Sequence, residues 1–159
     1  MRELSQLKIA MRYVPEWNAL IKRHAGPFQT GQISASTRRE LKAIGAILPV
    51  TILVDLREAD IAAMQEADLR AIVAAYSESD LPVAVHRVIY LTGEKSQFRV
   101  TGQFAHLAAL QGLSVASLTS VASASTMLRV PASELDALLV ELQQQAGERS
   151  EEEAAAADL

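Results

Sequence analysis

The chain has no cysteine. Disulfides, cysteine-ligated zinc and a thiol nucleophile are therefore excluded, and the composition suits a reducing compartment. We expect a cytoplasmic protein. Aromatic residues make up only 4% of the 159 residues, so a core has to be built from Ala, Leu, Val and Ile. No apolar run reaches ~18 residues, the minimum for a membrane-spanning helix, and no span is expected. Met1 to Ala10 carries Arg2, Glu3 and Lys8 without an apolar stretch and does not read as a secretory signal. Metal ligands come in clusters, whereas His24, His86 and His106 fall on separate elements with no partner at i+4. We expect no metal and no cofactor. Thr92-Gly93-Glu94-Lys95-Ser96 lacks the paired glycines and the Gly-Lys-Ser/Thr order of a phosphate loop. No Ser/His/Asp spacing marks a nucleophile. The expectation is a chain that is not an enzyme.

What is present is ordinary globular material: half the residues are hydrophobic and 21% charged, enough for one domain with a real core. The net charge of −4 argues against nucleic acid as a partner, but it is unevenly spread. Residues 1–45 hold eight Lys/Arg and three Asp/Glu, a net of +5, and the remainder carries −9. A basic first third can meet an anionic partner or neutralise the acidic remainder within the molecule or a dimer.

Val50-Thr51-Ile52-Leu53-Val54 is a continuous run of apolar and β-branched residues ending at Asp55-Leu56-Arg57. Such a run predicts a strand buried on both faces, over Val50–Leu56. Upstream, Leu7–Val14 and Ala19–His24 flank Pro15-Glu16-Trp17-Asn18. Proline suits a first corner and asparagine a left-handed position, so a hairpin is expected, closed by Gly26-Pro27. A helix follows from Ser34 or Ser36 to Gly45, with Glu40 in capping-box reach of Thr37. After the connection Arg57–Ile61, Leu69, Ile72, Val73 and Tyr76 predict a helix over 65–77. Val83–Leu91 is a second buried strand. A polar loop at 92–96, a helix over 101–111, a strand over 113–118 and a short helix through Met127 come next. Ser133 caps a final helix over 132–145 with Leu135, Leu138, Leu139 and Leu142 on one stripe. Residues 147–159, acidic and then alanine-rich, are expected to form a flexible tail outside a single domain of residues 1–146. The order β-β-α-β-α-β-α-β-α-α predicts an α/β fold. Its mixed sheet of about five strands starts with an antiparallel hairpin and continues in parallel, with helices packed on it and an extra C-terminal helix.

This order, and several of its residues, resemble the STAS-like or SpoIIAA-like proteins of bacteria over Leu7 to Pro131. The hairpin turn 15–18, Gly26 and the helix ending at Gly45 occupy the family's opening positions. Val54-Asp55-Leu56-Arg57 matches its strand-ending triplet, Arg87-Val88-Ile89-Tyr90 with Phe98 and Phe104 its next segment, and Met127 to Pro131 its close. Leu118, Met127 and Arg99 depart from the Phe, Trp and Gly usual there. Anti-sigma-factor antagonists of the wider family carry an Asp-Ser-Ser-Gly-like phosphoacceptor after the central strand. Here Ala62-Ala63-Met64-Gln65 stands in its place, so their partner-switching chemistry is not carried over. A rival arrangement, an ACT-like βαββαβ unit over residues 85–145, requires a strand at Thr126–Val130 and leaves the first half unexplained.

The resemblance implies a non-catalytic protein-interaction or regulatory module whose partner is a protein, including a second copy of itself. In open α/β sheets ligands gather at the carboxyl ends of parallel strands. Asp55, Arg57 and Thr92, with Glu94 and Lys95, would share that edge. The alternative function is a sensor or carrier of a small apolar or anionic ligand held between sheet and helices near Phe98, Phe104 and Asp55. The plainer reading of the edge is that Asp55 accepts from backbone N–H groups and Arg57 pairs with Glu58 or Asp60. The final helix either packs back on the sheet or faces another subunit.

Overall fold

The first reversal of the chain is a 3₁₀ turn at Pro15–Trp17, with Pro15 at its first corner and Asn18 left-handed at φ 45°. Tyr13 Oη donates to Asn18 Oδ1 at 2.8 Å, and Asn18 Nδ2 donates to the Pro49 carbonyl at 2.8 Å. One side chain thus ties the hairpin to the entry of the central strand. The computed structural model describes residues 7–45, 48–77, 81 and 83–157, with the backbone alone for Thr30, Ser34 and 148–157.

Five strands, β1 (Lys8–Val14), β2 (Ala19–Pro27), β3 (Val50–Asp60), β4 (Val85–Leu91) and β5 (Ser114–Leu118), form one sheet in sequence order. β1 and β2 are antiparallel and every later pair is parallel. The expected mixed α/β sheet with an N-terminal hairpin is the observed one. The crossover helices α1 (Thr30–Ile44), α2 (Glu66–Tyr76) and α3 (Lys95–Leu110) cover one face. Their Leu41, Ile72 and Phe104 meet Leu20, Ile52, Val54 and Val88 of the sheet. α4 (Val121–Leu128) and α5 (Ala132–Ala157) cover the other, where Leu135, Leu138, Leu139 and Leu142 pack on Ile21, Leu53 and Ile89. β3 is buried on both faces, as its unbroken apolar run demands.

Several boundaries differ from the sequence reading: β2 runs to Pro27 rather than His24, and β4 starts at Val85 rather than Val83. β3 does not stop at Leu56 but runs to Asp60, because β2 continues alongside it to Pro27. α1 begins at Thr30 rather than at Ser34 or Ser36. Ser36 and Thr37 are buried within it, and both hydroxyls donate to the Ile33 carbonyl instead of capping. Glu40 makes no capping box but an ion pair. α3 starts at Lys95, six residues early, because Gln97 Oε1 accepts from the N–H groups of Gly93 and Glu94 and turns the supposed loop into a helix start. The strand at Thr126–Val130 required by the ACT-like arrangement is absent: Thr126 to Leu128 lie in α4. The backbone of α5 stays helical past Gln145 through the charged and alanine-rich stretch to Ala157. Residues 78–80 and 82, between the expected helix over 65–77 and the strand Val83–Leu91, lie outside the described residues.

Candidate functional site

The middle of β2 reads Lys22-Arg23-His24. Side chains alternate across a strand, so this basic run is divided between the two faces. All three residues are buried.

On the α5 face, Arg23 meets Asp55 of β3. Arg23 Nη1 lies 3.3 Å from Asp55 Oδ2 and donates to the Leu139 carbonyl of α5 at 3.0 Å. Arg23 Nη2 pairs with Glu58 at 3.0 Å, and Gln143 of α5 donates to the same Glu58 oxygen at 2.6 Å. Arg57 grips Asp55 from the other side, with Nε on Oδ1 at 3.0 Å and Nη2 on Oδ2 at 2.8 Å, while its backbone N–H also donates to Oδ1. Asp55 is fully buried, and this bidentate contact is the first cause that raises the Arg57 guanidinium above its ordinary value. Among the described residues the carboxylate in hydrogen-bond contact with Arg57 is Asp55, rather than Glu58 or Asp60. Gly93 lies against Arg57, where a Cβ would come within 3.4 Å of Arg57 Cγ. Beside it, the backbone N–H and hydroxyl of Thr92 both donate to the Leu118 carbonyl.

On the helix face, Lys22 Nζ lies 2.7 Å from Glu40 Oε2 of α1, with the two side chains 1% and 3% exposed. Among the described residues neither atom makes an aligned hydrogen bond, so the contact is an ion pair held by charge. His24 follows on the same face and is buried. Burial, and then the neighbouring Lys22, hold its imidazole well below the ordinary 6.5. His24 borders an apolar cleft with Phe28, Val54, Met64 and Phe104. Tyr90, edge-on to Phe104 at 5.2 Å, is pushed well above its ordinary 10 by burial and by Tyr76. His86 and His106 are exposed. Among the described residues no cluster of His, Asp and Glu could hold a metal, and no helix is long and apolar enough to cross a membrane.

The residues named from the sequence are thus not brought to one point. Asp55, Arg57 and Thr92 share the carboxyl edge of the sheet, with Asp55 on the α5 side and Thr92 bonded to the end of β5. Phe104 lies in the core on the opposite face, and Phe98 stands 47% exposed on α3. Sequence reasoning missed Lys22, Arg23, Glu40 and Gln97. For the first two a signal existed, since three consecutive basic residues inside a strand must send at least one cation inward. Gln97 gave none: it donates to the carbonyls of Leu56 and Ala59 at 2.8 and 3.0 Å, satisfying a strand that outruns β4.

No family model matches the chain, and no curated protein is similar to it. Among solved structures, an anti-sigma factor antagonist from Mycobacterium paratuberculosis resembles it with a TM-score of 0.47 and 13% identity, over 78% of this chain and 95% of that one.

Proposed function

We propose that the chain is a non-catalytic protein-interaction module of the cytoplasm that works through its helical surface. The observation that carries this reading is an open groove of about 250 Å³ between α2 and α3, lined by Val73, Ala74, Leu107 and Leu110. Leu110 is 68% exposed, more than any other large apolar side chain among the described residues. Apolar side chains gathered in a groove with polar neighbours such as Arg70 and Gln111 are the composition of a partner site. The charged groups at the carboxyl edge support the same reading, because Asp55, Arg23, Arg57 and Glu58 are engaged with one another.

The test is Leu110→Glu. At so exposed a position the change should leave the unfolding midpoint in place while abolishing association, read as self-association by sedimentation velocity and as capture of host proteins compared side by side with the unmodified chain. A monomer whose captured proteins are the same with and without Leu110→Glu would remove the groove from the function.

A further inference from the structure

Among the described residues β1 is an outermost strand of the sheet, paired with β2 on one side and open on the other. Two hydrogen bonds fix which of its backbone groups face outward. The Asn18 carbonyl accepts from the Thr51 N–H of β3, so the next N–H, that of Ala19, points the opposite way, toward β1. The Phe28 N–H donates to the Asp60 carbonyl of β3, which turns the preceding Pro27 carbonyl toward β1 as well. Main-chain groups alternate sides along a strand. Ala19, Ile21, Arg23 and Ala25 therefore bond to β1, where they stand opposite Val14, Arg12, Ala10 and Lys8. Ile9, Met11 and Tyr13 are left with their N–H and carbonyl groups directed out of the sheet.

An edge of this kind is a template for another strand, and proteins blunt it with proline, bulges or charge. β1 has no proline or glycine, and its register with β2 runs unbroken along its seven residues. What it has is charge of one sign. Lys8 and Arg12 are exposed, and alternation puts them on the α5 face with Ala10 and Val14, where Arg12 pairs with Glu141. The other face of the same edge is apolar. Ile9 and Tyr13 pack against the core beneath the crossover helices, and Met11 between them is 39% exposed. A second copy of β1 laid against the first would bring Lys8 and Arg12 of both copies onto one face, and like charges across a sheet are destabilising. A strand with carboxylates at those positions meets charge of the opposite sign instead.

We propose that the open edge of β1 accepts an extended acidic segment of another protein as a further strand of the sheet. Its carboxylates stand beside Lys8 and Arg12 on the α5 face, and its apolar side chains beside Ile9, Met11 and Tyr13 on the other. Main-chain bonds to Ile9, Met11 and Tyr13 supply affinity, and the two side-chain rows select the sequence. The site is separate from the α2–α3 groove, and neither requires the other.

The experiment follows the backbone amides of the full chain by NMR and hydrogen exchange while a capped peptide of alternating Glu and Val is added. Shifts in β1 should saturate. The N–H groups of Ile9, Met11 and Tyr13 should gain protection, whereas those of Ala10 and Arg12, already bonded to β2, should not. A peptide of alternating Lys and Val should bind at these amides about fivefold or more weakly. Met11→Pro removes one outward N–H and none that serves β2, at an edge position where a strand admits proline. It should weaken the Glu peptide about fivefold or more. Lys8→Glu reverses an exposed charge, should weaken the same peptide about threefold or more, and is the second test if Met11→Pro does not fold. Leu110→Glu should bind the peptide as the unmodified chain does, so the edge and the groove stand or fall separately. The absence of saturable shifts with about 1 mM peptide, or protection elsewhere than at these three amides, would overturn the proposal. So would equal binding of the Lys peptide, binding unchanged in whichever β1 variant folds, loss of binding in Leu110→Glu, or a dimer that protects the same amides without peptide.

Discussion

Lys22 and Arg23 are neighbours in sequence, buried on opposite faces, and held in different ways. Arg23 reaches two carboxylates and a helix carbonyl, using the fork of a guanidinium. Lys22 faces one carboxylate, Glu40, and its Nζ makes no aligned hydrogen bond among the described residues. Taking one partner from a buried pair strands the other charge, at ~3–5 kcal/mol, whereas replacing both with apolar groups is close to neutral. Lys22→Met should therefore destabilise by about that amount in urea unfolding, and Lys22→Met with Glu40→Leu should regain most of it. Equal losses in the single and double variants would mean that the two charges are not coupled. His24 adds a dependence on pH. Its folded pKa is depressed below the unfolded 6.5, so the unfolded chain takes up the proton first as pH falls. Stability from this group is complete above about 6.5 and declines as pH drops toward the folded value. Carboxylates contribute their own loss on the acid side, so the informative quantity is a difference. Between about pH 8 and about pH 5, the urea midpoint of the unmodified chain should fall more steeply than that of His24→Leu. Parallel curves would show that the imidazole titrates alike in both states.

At the level of elements, the legible features were those with a periodic apolar signal. β3 declared itself by Val50–Val54, α2 by Leu69, Ile72, Val73 and Tyr76, and α5 by its leucines, and all three are where that signal put them. The hairpin was legible from turn chemistry, since Pro15 and Asn18 occupy the corner and the left-handed position. Element ends were not legible where a tertiary partner set them. β3 runs on to Asp60 because β2 accompanies it on one side and Gln97 serves its carbonyls on the other. Nothing local in Arg57-Glu58-Ala59-Asp60 announces either contact. Likewise Thr92–Ser96 reads as loop until Gln97 folds back on Gly93 and Glu94. The candidate edge was legible as a location and not as an assembly: the strand order places Asp55 and Thr92 together, but alternation turns Asp55 toward α5 while α3 holds Phe104 on the far face. Gln97 is consequently the joint between α3 and β3. Gln97→Leu, which keeps the bulk and removes the amide, should leave two buried carbonyls unpaired and cost ~1–3 kcal/mol by thermal or urea unfolding. A loss well under ~1 kcal/mol would show that water replaces the amide at that edge.

The whole molecule has two cores back to back on one sheet, and they are made differently. The core beneath α1, α2 and α3 is assembled by the crossovers themselves, so its helices are tethered at both ends. The second depends on α5, which returns after the last strand and supplies Leu135, Leu138, Leu139 and Leu142 to cover Ala10, Ile21, Leu53 and Ile89. α5 is also fastened by polar contacts, with Arg12 on Glu141, Arg23 on the Leu139 carbonyl and Gln143 on Glu58. The sequence left open whether its leucine stripe turns inward or toward another subunit; it turns inward, onto its own sheet. Each leucine withdrawn from water contributes about 1.5–3 kcal/mol, so four approach the ~5–15 kcal/mol net stability of a typical domain. A chain ending at Gly147 retains every one of these contacts and should unfold cooperatively with a midpoint near that of the full chain. A chain ending at Pro131 loses all of them, together with the partner of Arg23 on α5. It should bind a hydrophobic dye, lose its near-ultraviolet circular dichroism signal and aggregate on concentration. If the chain ending at Pro131 instead melts cooperatively as a monomer, the first core alone is sufficient, and α5 is an accessory layer that a partner could displace.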